Sequence, residues 1–145
     1  MRKIVVRPTS LGLWHVEGGG FGDLLRRAAE KEEWADAADM RFEGVQRLLD
    51  AIPDEDVMLD WADGATRDAM ELIYASAADH LSVGEVEMAA ALWENLAAMD
   101  EEDHMSVNIL LAICYIELED YDCLEEGQEH WSGLPFPSPM HESEK

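Results

Sequence analysis

The side chains best suited to metal binding or nucleophilic catalysis are few and widely spaced. They are His15, His80, His104, His130, His141, Cys114 and Cys123. A zinc site needs ligands close together, such as Cys-x-x-Cys or two histidines one helical turn apart, and neither spacing occurs. No serine lies in a nucleophile elbow, and no cysteine–histidine pair is indicated. The sequence therefore predicts no metal, no cofactor and no enzymatic activity.

Carboxylates dominate the composition but form no catalytic or calcium-binding pattern. The chain has 33 acidic and 10 basic residues, which gives a formal net charge of −23. The run Glu101-Glu102-Asp103-His104 lacks the glycine and the spacing of a calcium loop. Such a surface repels nucleic acid and anionic membranes and attracts basic groups. We expect a protein or peptide ligand, basic as one option, and neither nucleic acid nor a membrane. Solubility, salt adaptation and recognition stay open as reasons for the acidity.

The first 22 residues differ from the rest and are expected to form an extended or β-like N-terminal arm. Ile4-Val5-Val6 is β-prone, and a short strand or hairpin is expected around residues 11–16. Gly18-Gly19-Gly20 is interpreted as a hinge, because no lysine, serine or threonine follows at the spacing of a phosphate-binding loop. No apolar run is long enough for a membrane span or a signal-peptide core, so we expect a cytoplasmic protein.

Apolar residues recur at helical spacing after this arm. The first helix starts near Asp23 and runs to a turn at Trp34. A second, at about 38–52, ends before Pro53, which has no amide hydrogen to donate. Thr66 is the expected N-cap of a third helix.

The third helix is expected to reach about residue 80, after an apolar segment at 57–61. Further helices are expected at about 85–99, 105–118 and 122–131. The chain is thereby divided into the arm 1–22, a helical repeat domain 23–132 and a disordered, proline-rich tail 133–145.

Two stretches of the helical part repeat one pattern at an offset of 35 residues. Ala77, His80, Val86 and Ala89 correspond to Ala112, Tyr115, Tyr121 and Leu124. A period of this length is typical of stacked helix pairs, each of which buries its apolar face only against a neighbour.

The residues of this repeat resemble the tetratricopeptide repeat family. Residues 84–100 are similar to the second helix of such a unit, and residues 111–121 to the first helix and turn of the next. The resemblance covers about 70–133, with a weaker unit around 23–52, and Glu101 stands where a unit usually ends in proline. It implies an all-α fold, a short right-handed array of antiparallel helix hairpins. The repeat-packing positions it implies are Ala77, Ala89, Trp93, Ala112, Tyr115 and Tyr121.

In this family the inward positions of each first helix line a concave groove. Carried onto this chain, the implied partner-binding residues are Tyr74, Ala78, Leu81, Ile109, Ile113 and Ile116. They are mostly apolar, so the resemblance implies a groove for an apolar segment of another protein.

We therefore expect a non-catalytic protein-interaction module or small chaperone that holds an apolar, basic-flanked segment of a partner. One alternative is a structural subunit of a homo- or hetero-oligomer, in which the Met and Trp residues form interface area. A further alternative is an acidic mimic of nucleic acid, whose binding depends on salt and not on Ile113. The oligomeric state is left open.

Overall fold

A computed structural model describes residues 2–6, 20–53 and 55–119 of the chain. These residues contain two short strands and five helices, and this part of the chain is mainly helical, in agreement with the predicted all-α class. The elements are β1 (Arg2–Ile4), α1 (Gly20–Ala29), α2 (Trp34–Ala51), β2 (Val57–Leu59), α3 (Gly64–Ser82), α4 (Val86–Ala98) and α5 (Val107–Glu117). The predicted hairpin at 11–16, the helix at 122–131, Tyr121 and the tail 133–145 lie outside the described residues.

Helix α1 begins three residues earlier than the sequence indicated. Gly20, expected in the hinge, is its first residue and has a φ of 73°, a conformation that glycine adopts without steric penalty. Phe21, Leu24 and Ala28 follow at steps of three and four and are buried, so they form the inner face of the helix.

Helix α2 starts at Trp34, where a turn was expected, and stops at Ala51, two residues before Pro53. Gly44 is a buried residue of this helix that faces both α1 and α3. A side-chain carbon added there would collide with Leu24 of α1 and would crowd Leu72 of α3. The absence of a side chain at Gly44 therefore lets α1, α2 and α3 meet in one core.

The N-terminal arm contributes a strand to a two-stranded parallel sheet. Strand β1 pairs with β2 so that Ile4 lies opposite Leu59, and the Asp60 N–H donates to the Ile4 carbonyl at 3.0 Å. Two residues after the strand, the buried Val6 N–H donates to Thr66 Oγ1 at 2.8 Å. The arm is therefore attached both to β2 and to the first turn of α3.

The expectation that Thr66 caps α3 is wrong, because Asp63 occupies that position. Asp63 has extended backbone angles, and its carboxylate accepts the Thr66 N–H at 3.1 Å and the Thr66 hydroxyl at 2.6 Å. Aspartate accepts such bonds as readily as threonine does, and Gly64 and Ala65 after it can enter the helix. Thr66 lies in the first turn of the helix, where its buried hydroxyl joins the cap to Val6.

The last three described helices pack in sequence order, α3 on α4 and α4 on α5. Trp93 is the largest fully buried side chain, and its ring lies 6.1 Å from that of Tyr74 on α3. Leu72, Ile73 and Leu96 are also fully buried, so α3 and α4 supply much of the core. None of the helices in the described ranges combines the length and hydropathy that a membrane crossing requires.

Candidate functional site

The six residues of the predicted groove lie on α3 and α5 and differ in exposure. Tyr74, Leu81 and Ile116 are half-buried against the core, whereas Ala78, Ile109 and Ile113 are exposed. Tyr74 is in addition next to Trp93, so part of its ring is covered by α4.

The small residues predicted to let helices approach each other are all fully buried: Ala77 on α3, Ala89 on α4 and Ala112 on α5. Tyr115 is also buried, and its hydroxyl donates to Glu94 Oε2 at 2.6 Å. Together with Trp93, these residues lie in the packed interior rather than on a ligand surface. Tyr121, the sixth packing position, is outside the described ranges.

Helix α5 has one buried and one exposed apolar side. Leu111, Ala112 and Tyr115 belong to the core, whereas Ile109 and Ile113, one turn apart, are 37% and 41% exposed. The sequence around this helix is acidic, because no lysine or arginine occurs anywhere between Arg67 and Lys145. The outer side of α5 is thus an apolar row in a long acidic stretch of sequence without lysine or arginine.

A second exposed apolar surface is a depression between the start of α2 and the end of α3, and we call it the α2–α3 groove. Its lining is Trp34, Ala35, Ala38, Asp39, Phe42, Asp79, His80, Val83 and Glu85, and its volume is about 140 Å³. Val83 and Trp34, at 54% and 47%, are the most exposed large apolar side chains in the described ranges. Two such residues at the edge of one concavity form a patch rather than scattered exposure.

The polar residues of the α2–α3 groove fix its walls. Arg41 makes two bonds to the Asp79 carboxylate, from Nε at 2.6 Å and from a terminal nitrogen at 2.9 Å. The His80 ring packs edge-on against Phe42 with centroids 4.7 Å apart, and its Nδ1 lies 2.9 Å from Glu85 Oε1. The lining of the groove therefore combines a fixed aromatic pair, Phe42 and His80, with carboxylates.

A different aromatic arrangement lies where β2 runs into α3, and we call it the Trp61 cluster: Trp61, Arg67, Asp100, Glu102 and His104. The His104 ring stacks on Trp61 with centroids 4.8 Å apart and 7° between the planes. The guanidinium carbon of Arg67 is 5.1 Å from the same indole ring, and Arg67 Nε donates to the Trp61 carbonyl at 3.0 Å. The indole is thus covered by groups of its own chain.

Asp100, which is only 4% exposed, holds His104 in place. One carboxylate oxygen lies 2.6 Å from His104 Nδ1, and the other accepts the backbone N–H of His104 at 2.9 Å. His104 Nε2 lies 3.3 Å from Glu102 Oε2. Both oxygens of Asp100 are therefore used to fix the turn between α4 and α5.

A cleft of about 330 Å³ adjoins this cluster, and it is also lined by Lys3, residues 58–60, Ala62 and Glu101. A carboxylate–imidazole pair can serve as a general base when a nucleophile is within reach. Among the described residues that line this cleft, there is no serine, threonine or cysteine that His104 could activate. Across the described ranges, no three His, Cys, Asp or Glu side chains are placed to hold a metal ion.

Cys114 is buried on the inner side of α5, and it is a free thiol. Burial, with smaller contributions from the Glu94 and Glu117 carboxylates, raises the pKa of this thiol to about 11. A thiol of this kind is protonated at neutral pH and a poor nucleophile.

Sequence reasoning missed the α2–α3 groove, because Trp34 and Val83 are far apart in the chain, and of the two only Trp34 was considered, as the residue of a turn. The sequence did contain a usable signal. Each of the two is a large apolar residue at a helix end, and its neighbours in the sequence are charged or small, so they form no apolar segment that would bury it. Comparisons of the chain with protein-family models, curated proteins and solved structures gave no match.

Proposed function

We propose that this protein is a non-catalytic interaction module that holds an apolar segment of a partner protein with basic residues beside it. The observation that carries the proposal is the outer side of α5, where Ile109 and Ile113 are exposed in a stretch of sequence without lysine or arginine. Burial of these two side chains supplies affinity, and the carboxylates select a basic partner and raise its association rate.

We also propose that α3, α4 and α5 belong to a short right-handed array of helix pairs of the tetratricopeptide type. The burial of Ala77, Ala89 and Ala112 supports this, because small residues allow close helix packing in such arrays. The order of packing, α3 on α4 and α4 on α5, is compatible with it. In this arrangement the proposed partner contacts the exposed residues of α3 and α5 together, namely Ala78, Ile109 and Ile113.

A matched pair of variants tests the α5 surface. Ile113 on α5 and Met88 on α4 are both 41% exposed, so Ile113→Asp and Met88→Asp add the same charge at equal exposure. A partner recovered with the wild-type protein from its own cells is purified, and its affinity is measured by calorimetry at low and moderate salt. We expect Ile113→Asp to weaken binding at least tenfold and Met88→Asp to leave it within about threefold. Equal effects of the two variants would contradict the proposal.

The acidic mimic of nucleic acid is the second candidate, and the long stretch without lysine or arginine favours it too. It predicts a partner that itself binds nucleic acid, with an affinity that falls steeply with salt. Under this alternative Ile113→Asp has no effect, and a short duplex competes with the protein for the partner. If the tagged protein recovers only further copies of its own chain from the cells, the structural-subunit alternative is supported instead.

A further inference from the structure

We propose that the α2–α3 groove is a second docking site, separate from the α5 surface, for one bulky apolar side chain that has lysine or arginine next to it in a partner protein. The two most exposed large apolar side chains of the described ranges, Trp34 and Val83, line this one concavity. Tryptophan is among the residues that contribute most binding free energy per side chain at protein interfaces. The volume of about 140 Å³ suits a single leucine or aromatic side chain rather than a whole helix face.

The walls of the α2–α3 groove are already in place before a ligand binds. Phe42 is held by its edge-on contact with His80, and Asp79 by its two bonds to Arg41. Val83 is followed by Gly84, whose φ of +82° turns the chain back toward α4 without a steric penalty. A site whose walls are already fixed loses little conformational entropy when it binds.

The charges around the groove select the occupant. The described residues of the lining include Asp39, Asp79 and Glu85, and none of them is a lysine or arginine. Arg41 neutralises Asp79, and His80 contacts Glu85, whereas Asp39 is exposed and has no partner among the described residues. A cationic side chain beside the apolar anchor gains from Asp39 and Glu85, and an anionic one is repelled.

The same charges argue against the two other available occupants. A second copy of the chain also carries a net charge of −23, so two copies repel each other. The chain's own last residues, 133–145, contain proline and phenylalanine but only one basic residue, Lys145, against Glu142 and Glu144. A basic segment of another protein is therefore the occupant that the groove favours.

The test uses the full chain, labelled with ¹⁵N, and three short synthetic peptides with blocked ends. The first combines leucine and phenylalanine with lysine and arginine, the second replaces the apolar residues by serine, and the third replaces the basic residues by glutamate. Chemical shifts of backbone amides locate the site, and titration gives the affinity. The variants are Trp34→Ser, Val83→Ser and Asp39→Asn, with Ile113→Asp as the control that changes only the α5 surface.

We expect the first peptide to shift amides around Trp34 and Val83 and to bind at least tenfold more tightly than the other two. Trp34→Ser and Val83→Ser each reduce its affinity about tenfold, Asp39→Asn reduces it about threefold, and Ile113→Asp leaves the shifts at the groove unchanged. These results support the groove whatever happens at the α5 surface.

Several outcomes would overturn the proposal. One is that the first peptide causes no shifts at the groove, and another is that Trp34→Ser binds it as tightly as the wild-type protein does. Equal binding of the glutamate peptide would remove the charge argument and with it the proposed partner. A dimer in sedimentation experiments that is lost in Trp34→Ser would make a second copy the occupant instead. Shifts confined to α5 and lost in Ile113→Asp would support the proposed function and contradict the groove.

Discussion

Two junctions of this protein bring a tryptophan and a histidine together, and they use them differently. In the Trp61 cluster the indole is stacked on His104 and contacted by Arg67. In the α2–α3 groove the histidine is occupied by Phe42, and Trp34 is left 47% exposed. In the first arrangement the tryptophan ring is covered by side chains of the same chain. In the second arrangement the Trp34 ring stays available for contact with another molecule.

The backbone also differs between the two junctions, because the turn at the Trp61 cluster is strained and the turn at the α2–α3 groove is not. The turn after α4 holds Asp103 and Ser106 at φ values of 50° and 56°, which cost most residues free energy. The turn after α3 uses Gly84 for its positive φ, at no steric cost. A strained turn persists only where side chains fix it, as Asp100 and Asp103 do here through bonds to backbone N–H groups. The comparison suggests that the Trp61 cluster serves stability and that the groove serves binding.

The largest expected effect is on stability, from removal of the carboxylate that fixes the strained turn. Asp100→Ala deletes both bonds to His104, and we expect the free energy of unfolding to fall by about 3 kcal/mol. Asp39→Ala, the matched change at the α2–α3 groove, is expected to change it by less than about 0.5 kcal/mol. Urea denaturation followed by circular dichroism measures both. Equal losses in the two variants would remove the distinction between the junctions.

The next effect comes from the link between the N-terminal arm and α3. Thr66→Val keeps the shape of the side chain but leaves the buried Val6 N–H without an acceptor, and this is expected to cost about 2 kcal/mol. Thr66→Ser restores the hydroxyl and should recover most of the loss. Amide exchange at Val6 reports the bond directly, and slow exchange in Thr66→Val would contradict its assignment.

The pH dependence of stability provides a reference effect from Cys114, which belongs to neither junction. Because the pKa of Cys114 is about 11 in the folded protein and near 9 in the unfolded chain, the unfolded state loses this proton first as the pH rises. Stability should therefore be unaffected by this group below pH 9 and should fall by roughly 1–2 kcal/mol between pH 9 and pH 11. The urea midpoint of Cys114→Ala should fall less than that of the wild-type protein over this range. Parallel curves would show that the thiol does not contribute.

The smallest expected change in stability is at the groove itself. Trp34→Ser removes a side chain that is half in solvent, so the free energy of unfolding should change by less than about 1 kcal/mol. Trp61→Ser, the same change in the cluster, should cost about 2 kcal/mol or more, because it removes the partner of two other side chains. Thermal unfolding of the two variants side by side measures the difference. A larger loss in Trp34→Ser would mean that this tryptophan is structural.

The helices were largely predictable because their signals are local. The third, fourth and fifth end within about two residues of the expected limits, and the stop before Pro53 follows from its missing N–H. The start of α1 at Gly20 was missed, because three glycines in a row resemble a hinge as much as a helix start. Asp63 was missed as a cap, because an aspartate and a threonine three residues apart are both acceptable there.

The features that depend on distant pairing were beyond a single sequence. The apolar segment at 57–61 was noticed, but its pairing with Arg2–Ile4 requires two strands between which the whole of α1 and α2 lies. The α2–α3 groove is of the same kind, because Trp34 and Val83 come to line one concavity only after α2 and α3 have packed. The predicted groove residues on α3 and α5 follow from a family resemblance, and they stay a prediction.

The parallel pairing of β1 also sets an order of events during synthesis. The Val6 N–H can form its bond to Thr66 only when that residue, 60 positions later in the chain, has been made. At about 5–20 residues per second, the ribosome needs roughly 3–12 seconds to make that stretch. During this interval the β-prone segment around Ile4 has no strand to pair with and is open to other nascent chains or to chaperones. The N-terminal arm is therefore made before α1 and α2 but can reach its place only after both of them have been made.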